Sequence, residues 1–343
     1  MNQKQLVSII MPTYNTDHEM LKESILSILR QTYKTFKLYI IDDGSNNDDN
    51  FNFIRAFFND DRIVALKNDI NIGVAKTLNR GIDVAEGKYI FRMDADDISV
   101  PTRLEEMVRF FDNNPDISIA GSYAKCFGKR NNIIRLPVSD VDIRCEMIYN
   151  NPLCHPTVAF RKECIDRFHL RYPENASNED YNLWVSLLTN KTIKFANLSK
   201  VLLLYRVHDA QVTFSKYERL KNDSQIIISR VLDYYLGREL TPKEIESYVK
   251  TIYSRETTTS AEFKIMLDVF REIISRNKEI EIVANENLRR TLLKKSQNAY
   301  TVQIVKYKNR IGMYSIIKDF GNNSGNLRSD ILFRVAGVIE KFL

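Results

Sequence analysis

Short apolar runs alternate with helix-like segments along roughly the first two hundred residues, and this alternation limits the possible folds more than any other feature. Four runs have the length and composition of β-strands: Leu6–Met11, Leu38–Ile41, Ile63–Leu66 and Tyr89–Phe91. Between them, apolar residues recur at the spacing of amphipathic helices. Strands and helices that alternate in this way form a mainly parallel sheet with helices on both faces. We therefore predict an α/β fold.

Polar residues follow three of the predicted strands, at the point where each strand ends. The clusters are Pro12–Asn15, Asp42–Ser45 and Asp94–Asp97. The carboxyl ends of parallel strands meet at one edge of a sheet, and such sheets bind ligands in the crevice outside that edge. The sequence therefore predicts that the three clusters converge on one ligand site.

The third cluster packs three carboxylates into a very short stretch. Asp94 and Asp96 form a D-x-D pair, and Asp97 follows directly. Carboxylates this close repel one another unless a cation or solvent screens them, so a water-exposed turn is one interpretation. Hard divalent cations such as Mg²⁺ and Mn²⁺ prefer carboxylate oxygens together with substrate phosphates. A D-x-D at a strand end therefore also suits a metal-bound diphosphate.

Composition argues against several classes of protein. Of the 343 residues, 44% are hydrophobic and 27% are charged, which is too apolar for a disordered chain. The longest apolar run, Val201–Tyr205, is far shorter than the about 20 residues of a membrane-spanning helix. The first residues lack the apolar core of a secretory signal, so we expect a cytoplasmic protein. The four cysteines form no C-x-x-C pair, which favours free thiols over a zinc or redox site.

The chain changes character near residues 210–220. From residue 216 onward, Gly and Pro become scarce and helical periodicity dominates. Residues 1–215 hold 27 Lys and Arg against 28 Asp and Glu, whereas residues 216–343 hold 23 against 16. Within the second region, residues 285–343 hold 11 against 4, so the positive excess lies near the end. Basic termini of this kind bind nucleic acid, anionic lipid or no partner at all.

The last segment of the chain has an amphipathic pattern. Ile331, Val335, Val338 and Phe342 share one face of a predicted helix. Three interpretations stay open: this helix packs on the preceding α/β region, lies on a membrane surface, or pairs with a second subunit of a homo-oligomer.

An ordered set of motifs across roughly residues 5–215 resembles that of family 2 glycosyltransferases with a GT-A fold, of the bacterial surface-polysaccharide type. The motifs are Val7–Asn15, Ser24–Thr32, Ile41–Ser45, Asn71–Ala75, Asn79–Ile82, Ala85–Ile90, Arg92–Asp97, Glu179–Trp184 and Tyr205–Gln211. The resemblance implies a Rossmann-like GT-A catalytic domain over residues 1–215. Its nucleotide-sugar half would span about 1–97 and its acceptor half about 98–215, followed by a basic helical region over 216–343.

The resemblance also implies a donor site. It assigns nucleotide-sugar contacts to Pro12, Thr13, Tyr14, Asp43, Asn71, Lys76 and Asp94. Tyr14 would offer a stacking face to the base. A carboxylate at Asp43 that accepts from a ring N–H favours uracil or thymine. The implied cofactor is Mn²⁺ or Mg²⁺, held by Asp94, Asp96 and His208, and Gln211 belongs to the same loop as His208.

Sugar transfer in this family implies a general base. Asp180 resembles the carboxylate that removes the proton of the acceptor hydroxyl, which leads to inversion at the anomeric carbon. Its alternative is an acid at a helix start, where the helix dipole favours negative charge. His155, Glu179 and Trp184 would lie on the acceptor side, and Trp184 also has the spacing of a core residue.

These inferences predict a metal-assisted inverting glycosyltransferase that uses a nucleotide diphosphate donor, with a UDP-sugar favoured. The expected acceptor is a glycan or lipid-linked glycan of surface polysaccharide synthesis, reached at the inner face of an anionic membrane. Two alternatives use the same residues: a nucleotidyltransferase on a related fold, and a non-catalytic nucleotide-sugar-binding protein. We expect no nucleic-acid partner, because the tail carries no stacking platform or recognised motif.

Overall fold

A computed structural model describes residues 5–46, 49–57, 59–174, 176, 178–208, 217–253, 256–307 and 317, with the side chains of 217–224 excepted. The predicted last helix, with Ile331, Val335, Val338 and Phe342, lies outside the described residues, as does Gln211. The chain divides into two compact units. Unit 1 comprises Met1–Ile143 and Asn151–Lys221, and unit 2 comprises Arg144–Asn150 and Asn222–Leu343.

The described residues contain strands in the first unit and helices throughout. The strands are β1 (Val7–Thr13), β2 (Phe36–Asp42), β3 (Ile63–Lys67), β4 (Tyr89–Arg92), β5 (Ile98–Ser99), β6 (Ile117–Gly128), β7 (Ile133–Ile134), β8 (Ala159–Arg161) and β9 (Lys194–Val207). The helices are α1 (His18–Leu29), α2 (Asp49–Arg55), α3 (Val74–Val84), α4 (Arg103–Asn113), α5 (Asp140–Glu146), α6 (Lys162–Phe168), α7 (Glu179–Ser186), α8 (Tyr217–Leu236), α9 (Pro242–Tyr253), α10 (Ser260–Ile280) and α11 (Asn285–Val305).

The strands of unit 1 form one sheet in the order β3-β2-β1-β4-β8-β6-β9-β5, with β7 paired to β6. The first four strands pair in parallel, as do β6 and β9. Strand β8 is antiparallel to both β4 and β6, and β5 is antiparallel to β9. The register sets Thr13 beside Asp42 and Asp42 beside Lys67, so the polar ends of β1, β2 and β3 line up.

Burial on both faces of the sheet explains why its first strands are continuously apolar. Ile9, Leu38 and Ile40 are fully buried, and their neighbours point into an equally covered opposite face. Each such side chain contributes about 1.5–3 kcal/mol when it leaves water. Helix α1 covers this core with Leu21, Ile25 and Ile28, and the Asp17 side chain caps it by accepting from the amides of Glu19 and Met20.

Unit 2 has its own helical core. The rings of Tyr248 and Phe270 meet edge to face at 5.8 Å, and both side chains are fully buried. The Tyr248 hydroxyl donates to the carbonyl of Ile148 at 3.2 Å. Helix α10 starts with a capping box, in which Thr259 accepts from the amide of Glu262 and the Glu262 side chain accepts from the amide of Thr259.

The structure confirms the predicted α/β class, with a mostly parallel sheet and a helical C-terminal region. The four cysteines are free thiols: Cys126, Cys145 and Cys164 are buried, and Cys154 is half-buried. Among the described helices, none combines the length and the apolar character that a membrane span requires. The functional roles predicted for residues 1–215 and 216–343 stay predictions.

Candidate active site

The polar segments that follow β1 and β2 meet; these are two of the three clusters for which the sequence predicts convergence. The amide of Asp43 donates to the carbonyl of Thr13, and the amide of Asn68 donates to the carbonyl of Asp42, both at 2.8 Å. Asn15 adopts a positive φ of 47°, and its amide donates to the Ser45 hydroxyl at 2.8 Å. These contacts join the segments that follow β1, β2 and β3 into one surface at the carboxyl edge of the sheet.

Asp43 organises the loop that follows β3. Its Oδ1 accepts from the Asn68 side chain at 2.7 Å and from the Ile72 amide at 3.0 Å, and its Oδ2 accepts from the Gly73 amide at 2.9 Å. The next residue, Gly44, has φ +69°, and a Cβ there would lie 2.4 Å from the backbone of Ile70. Close packing of two loops therefore requires glycine here.

The other donor-side residues predicted from the sequence lie on or beside this edge. Pro12 and Thr13 belong to β1, and Thr13 is buried with its hydroxyl donating to Thr16 at 2.8 Å. Tyr14 is 47% exposed, so its ring is open to a ligand. Asn71 and Lys76 are exposed, and the Lys76 ammonium lies 3.9 Å from the Glu174 carboxylate.

The aspartates that follow β4 form a compact carboxylate group. Asp94, Asp96 and Asp97 each offer an oxygen within 4.8 Å of the others. Burial raises the pKa of Asp94 and raises that of Asp97 well above its usual range. Among the described residues, Asp97 Oδ2 is buried without a hydrogen-bond partner. Hard oxygen ligands at this spacing, one of them unsatisfied, fit a divalent cation such as Mg²⁺ or Mn²⁺.

Arg206, near the end of β9, holds His208 against this carboxylate group. Its amide donates to Asp97 Oδ1 at 2.8 Å, and its Nε donates to the Asp96 carbonyl at 2.7 Å. Its guanidinium also lies 2.5 Å from the Glu23 carboxylate on α1. His208 Nε2 is then 3.0 Å from Asp96 Oδ2. The structure therefore brings His208 to the D-x-D pair of Asp94 and Asp96, although His208 lies 112 positions after Asp96 in the sequence.

A second group of titratable side chains lies at the start of α7. His155, Glu179 and Asp180 place their ligand atoms within 4.8 Å of one another. His155 Nδ1 is 3.5 Å from Glu179 Oε1, and its Nε2 is 3.0 Å from the Tyr172 hydroxyl. Asp180 accepts from the Asn151 side chain at 2.6 Å and from the Tyr181 amide at 2.7 Å. Neither Asn151 nor Tyr172 was predicted from the sequence.

Burial dominates the electrostatics of this second group. It lowers the pKa of His155 well below the usual range, and the nearby Arg92 lowers it further, so the imidazole is neutral near pH 7. Burial and the adjacent Asp180 raise the pKa of Glu179 to about 8. Burial also raises the pKa of Asp180, while the Asn151 hydrogen bond opposes that rise. Glu179 therefore holds its proton to a higher pH than an ordinary glutamate does.

Glu179→Gln should make the protein more stable at alkaline pH. The pKa of about 8 lies above that of an unfolded glutamate, so the folded state binds more protons and stability falls as pH rises towards 8. Glutamine removes this titration. We expect the melting temperature of the variant, relative to wild type, to rise by roughly 2–4 °C between pH 5.5 and pH 8.5. Glu174→Gln, at a half-exposed site, serves as control. If the melting temperatures of Glu179→Gln and wild type change equally with pH, the raised pKa of Glu179 is contradicted.

Trp184 does not lie where an acceptor could reach it. The side chain is fully buried, packed against the rings of Phe160 at 5.8 Å and Phe195 at 6.4 Å. The acceptor-side prediction for Trp184 is therefore not supported, and its helical spacing reflects a place in the core. His155 and Glu179, by contrast, stand beside Asp180, with side chains 10% and 11% exposed.

Known sequences that are similar to this chain are those of glycosyltransferases. Residues 8–168 match the model of the family described as Glycosyl transferase family 2. An uncharacterized glycosyltransferase of Methanocaldococcus jannaschii is 32% identical over 224 residues, which are 64% of this chain and 76% of that protein. WfgD of Escherichia coli, named a UDP-Glc:alpha-D-GlcNAc-diphosphoundecaprenol beta-1,3-glucosyltransferase, is 29% identical over 65% of this chain and 85% of its own length.

Two solved structures of glycosyltransferases match the fold of this chain. The structure of S. aureus TarS 1-349 in complex with UDP-GlcNAc matches with a TM-score of 0.58 and 18% identity, over 95% of this chain and 94% of that one. The mannosyltransferase PcManGT from Pyrobaculum calidifontis, in complex with GDP-Man and Mn²⁺, matches with a TM-score of 0.52 and 13% identity, over 99% and 85% of the two chains. Likeness at these identities shows the fold alone, and it confirms the predicted GT-A fold.

Proposed function

The chain belongs to glycosyltransferase family 2, and from this premise we propose that it transfers a sugar from a UDP-sugar to a glycan or lipid-linked glycan with inversion at the anomeric carbon. One observation carries the proposal. The end of β4 presents the Asp94, Asp96 and Asp97 carboxylates, and the start of α7 presents the Asp180 carboxylate within the same unit. A transferase needs the first group for the diphosphate and the second for the acceptor hydroxyl.

The donor is held at the ends of β1 and β2. The exposed ring of Tyr14 stacks on the base. Asp43 contributes through Oδ2, which accepts one protein hydrogen bond and has a further lone pair for a ring N–H. Lys76 and Asn71 are exposed beside this surface and contact the phosphates or ribose. Uracil carries a ring N–H that can donate to this carboxylate, which supports UDP as the nucleotide.

Asp94, Asp96 and His208 would hold a divalent cation, Mn²⁺ or Mg²⁺. When bound there, a divalent cation would supply positive charge that stabilises the departing diphosphate. His208 is suited to the role because its Nε2 already lies 3.0 Å from Asp96 Oδ2. The mannosyltransferase PcManGT, which has the same fold, was solved with a nucleotide sugar and Mn²⁺, and this supports the choice of cation.

Asp180 is the general base. Its carboxylate takes the proton of the acceptor hydroxyl as the acceptor oxygen forms a bond to the anomeric carbon. The bond from that carbon to the diphosphate oxygen breaks, and its electron pair leaves with UDP. Asn151 and the Tyr181 amide fix the orientation of Asp180, and Glu179 lies beside it on the acceptor side. Base catalysis of this kind contributes about 10²–10⁴-fold to the rate.

Relatives support a lipid-linked acceptor in polysaccharide synthesis. The name of WfgD specifies GlcNAc-diphosphoundecaprenol as acceptor and UDP-Glc as donor. The name of a second relative, AmsE of Erwinia amylovora, places it in amylovoran biosynthesis, at 26% identity over 64% of this chain and 84% of its own length. We extend the acceptor class, a glycan on a lipid diphosphate, to this protein.

Donor hydrolysis tests the proposed function. UDP-glucose, UDP-GlcNAc, UDP-galactose and GDP-mannose are incubated with the protein in Mn²⁺ or in EDTA, and released nucleotides are separated by chromatography. We expect slow release of UDP from one UDP-sugar in Mn²⁺ and none in EDTA. Metal-dependent release of GDP alone would contradict the choice of UDP, and release that persists in EDTA would contradict the role of the cation.

The basic C-terminal region supports peripheral association with an anionic membrane. Residues 285–343 hold 11 Lys and Arg against 4 Asp and Glu, which would attract the protein to anionic lipid. We expect binding to vesicles that contain phosphatidylglycerol at low salt, lost at about 0.5 M salt because screening shortens the range of the attraction. Deletion of residues 325–343 should weaken it. If the protein sediments equally with neutral and anionic vesicles, binding to anionic membrane is excluded. If the protein is a dimer that dissociates when residues 325–343 are deleted, pairing of this segment with a second subunit is favoured instead.

A further inference from the structure

Asn79 joins helix α3 to the loop that precedes α7. It is 7% exposed, and its side chain makes two hydrogen bonds to one residue, Tyr172, which lies 93 positions later. Asn79 Nδ2 donates to the Tyr172 carbonyl at 2.9 Å, and the Tyr172 amide donates to Asn79 Oδ1 at 2.8 Å. Tyr172 is buried and lies outside any helix or strand, so its backbone groups need partners from elsewhere. One asparagine side chain satisfies both of them.

Tyr172 in turn contacts the imidazole of His155. Its hydroxyl lies 3.0 Å from His155 Nε2, and the centres of the two rings are 5.2 Å apart. The other ring nitrogen of His155, Nδ1, lies 3.5 Å from Glu179 Oε1. A chain of contacts therefore runs from Asn79 on α3 to the first residue of α7, which is next to the proposed base.

Helix α3 is a fixed support for Asn79. At Gly81 it approaches the sheet so closely that a Cβ there would lie 2.5 Å from the Ile10 side chain on β1. The same helix contacts the donor side through a different residue, because the amide of Gly73, its N-cap, donates to Asp43 Oδ2 at 2.9 Å. Loss of the Asn79 side chain therefore removes none of the described hydrogen bonds of Asp43.

We propose that Asn79 is a positioning residue for the acceptor side of the site. It fixes Tyr172, which holds His155 against Glu179. The inference rests on the proposed function, in which Asp180 is the base and Glu179 lies beside it on the acceptor side. An imidazole with a fixed partner on one nitrogen keeps one orientation and one tautomer. The acceptor then meets a preorganised surface, and small displacements of such a surface lower the rate strongly.

The first experiment measures transfer to a GlcNAc-diphospholipid acceptor and, separately, binding of UDP in Mn²⁺. We expect Asn79→Ala to lower kcat/KM for the acceptor about tenfold or more, with the affinity for UDP within about threefold of wild type. Tyr172→Phe keeps the ring and its contact with Phe160 but loses the hydroxyl, so it should lower the same constant. Because both changes break one chain of contacts, the double variant should lose no more than the more severe single variant. Losses that multiply would overturn the inference.

Asn277→Ala is the matched control for Asn79→Ala. Asn277 on α10 is 1% exposed and makes the same pair of contacts with Val283: its Nδ2 donates to the Val283 carbonyl at 2.8 Å, and the Val283 amide donates to its Oδ1 at 3.3 Å. It belongs to unit 2, which contains none of the residues assigned to the donor or acceptor side. Both variants should have a lower melting temperature, but only Asn79→Ala should lose transfer. An equal loss of transfer in the two variants would point to general destabilisation and overturn the inference.

The second experiment observes the imidazole directly and needs no substrate. In protein labelled with nitrogen-15 histidine, the shifts of the ring nitrogens report the tautomer of each of the 4 histidines, and His155→Gln identifies the signals of His155. We expect one tautomer of His155 in wild type and in Asn277→Ala, and a mixture of both in Tyr172→Phe and in Asn79→Ala. Signals of His155 that are unchanged in Asn79→Ala would overturn the inference.

The two experiments separate failure of the inference from failure of the proposed function. If wild type transfers no sugar and binds no UDP, the proposed function fails, and the spectra still decide whether Asn79 holds His155. If wild type transfers sugar and Asn79→Ala transfers it equally well, the proposed function stands and the inference is overturned, whatever the spectra show. If Asn79→Ala does not fold, Tyr172→Phe decides: it must mix the tautomers of His155 and lose kcat/KM for the acceptor.

Discussion

Asp180→Asn is expected to lower kcat by about 10²–10⁴-fold, the usual contribution of a general base. The amide keeps the size of the carboxylate but cannot take a proton from the acceptor hydroxyl. Binding of UDP in Mn²⁺ should stay within about threefold of wild type, because the described hydrogen bonds of Asp180 go to Asn151 and the Tyr181 amide, away from the donor-side loops. Initial rates with the active donor give kcat, and calorimetry in Mn²⁺ gives the affinity for UDP.

Asp166→Asn is the matched control for this substitution. Asp166 is an exposed carboxylate on α6 that pairs with Lys162, so its loss should leave kcat unchanged. The pH dependence supplies a second check: wild-type kcat should fall at acid pH as Asp180 takes a proton, and burial raises the pKa of this group. Turnover by Asp180→Asn within tenfold of wild type would show that another group is the base.

Asp96→Ala is expected to remove the metal-dependent part of UDP binding, a loss of about 100-fold or more. The variant loses one of three clustered carboxylates and the contact of Asp96 with His208 at 3.0 Å. Calorimetry in Mn²⁺ and in EDTA separates the metal-dependent affinity from direct contacts with the nucleotide. In EDTA the variant and wild type should bind UDP equally weakly.

Asp112→Asn is the control for Asp96→Ala. Asp112 accepts from the hydroxyl of Tyr89 at the start of β4, whereas Asp96 follows the end of that strand. Its loss should leave the ratio of affinities in Mn²⁺ and EDTA at the wild-type value. An Asp96→Ala protein that keeps this ratio would exclude Asp96 as a metal ligand.

The local pattern of apolar and polar residues was sufficient to predict much of the fold and the main clusters of polar site residues. The buried strand of Ile9 and Ile10 and the helix of Leu21, Ile25 and Ile28 were predicted because their periodicity reflects burial directly. Parallel pairing then places the ends of β1, β2 and β4 along one edge, which is why Asp43 and Asp94 lie on the same side of the sheet. The topology follows from general rules on alternating strands and helices.

Partners across long sequence distances were not predictable from pattern. Tyr172 hydrogen-bonds His155, and Asn151 hydrogen-bonds Asp180 across 29 positions, but neither residue has a distinctive neighbourhood in sequence. Arg92 belongs to a recognisable motif, but only the structure shows that its side chain is buried and forms an ion pair with Asp94. On sequence, Trp184 has the helical spacing of a core residue and also offers an apolar face for a sugar ring, and its complete burial places it in the core.

The nucleotide product of sugar transfer tests the central claim most directly. The protein is incubated with a UDP-sugar, a GlcNAc-diphospholipid acceptor and Mn²⁺, and nucleotide, phosphate and lipid products are quantified together. A glycosyltransferase must release one UDP for each sugar added to the lipid, and EDTA must stop both. Release of pyrophosphate, or UDP formed without metal dependence, would contradict the assignment of Asp94, Asp96 and Asp180 as a metal-assisted transferase site.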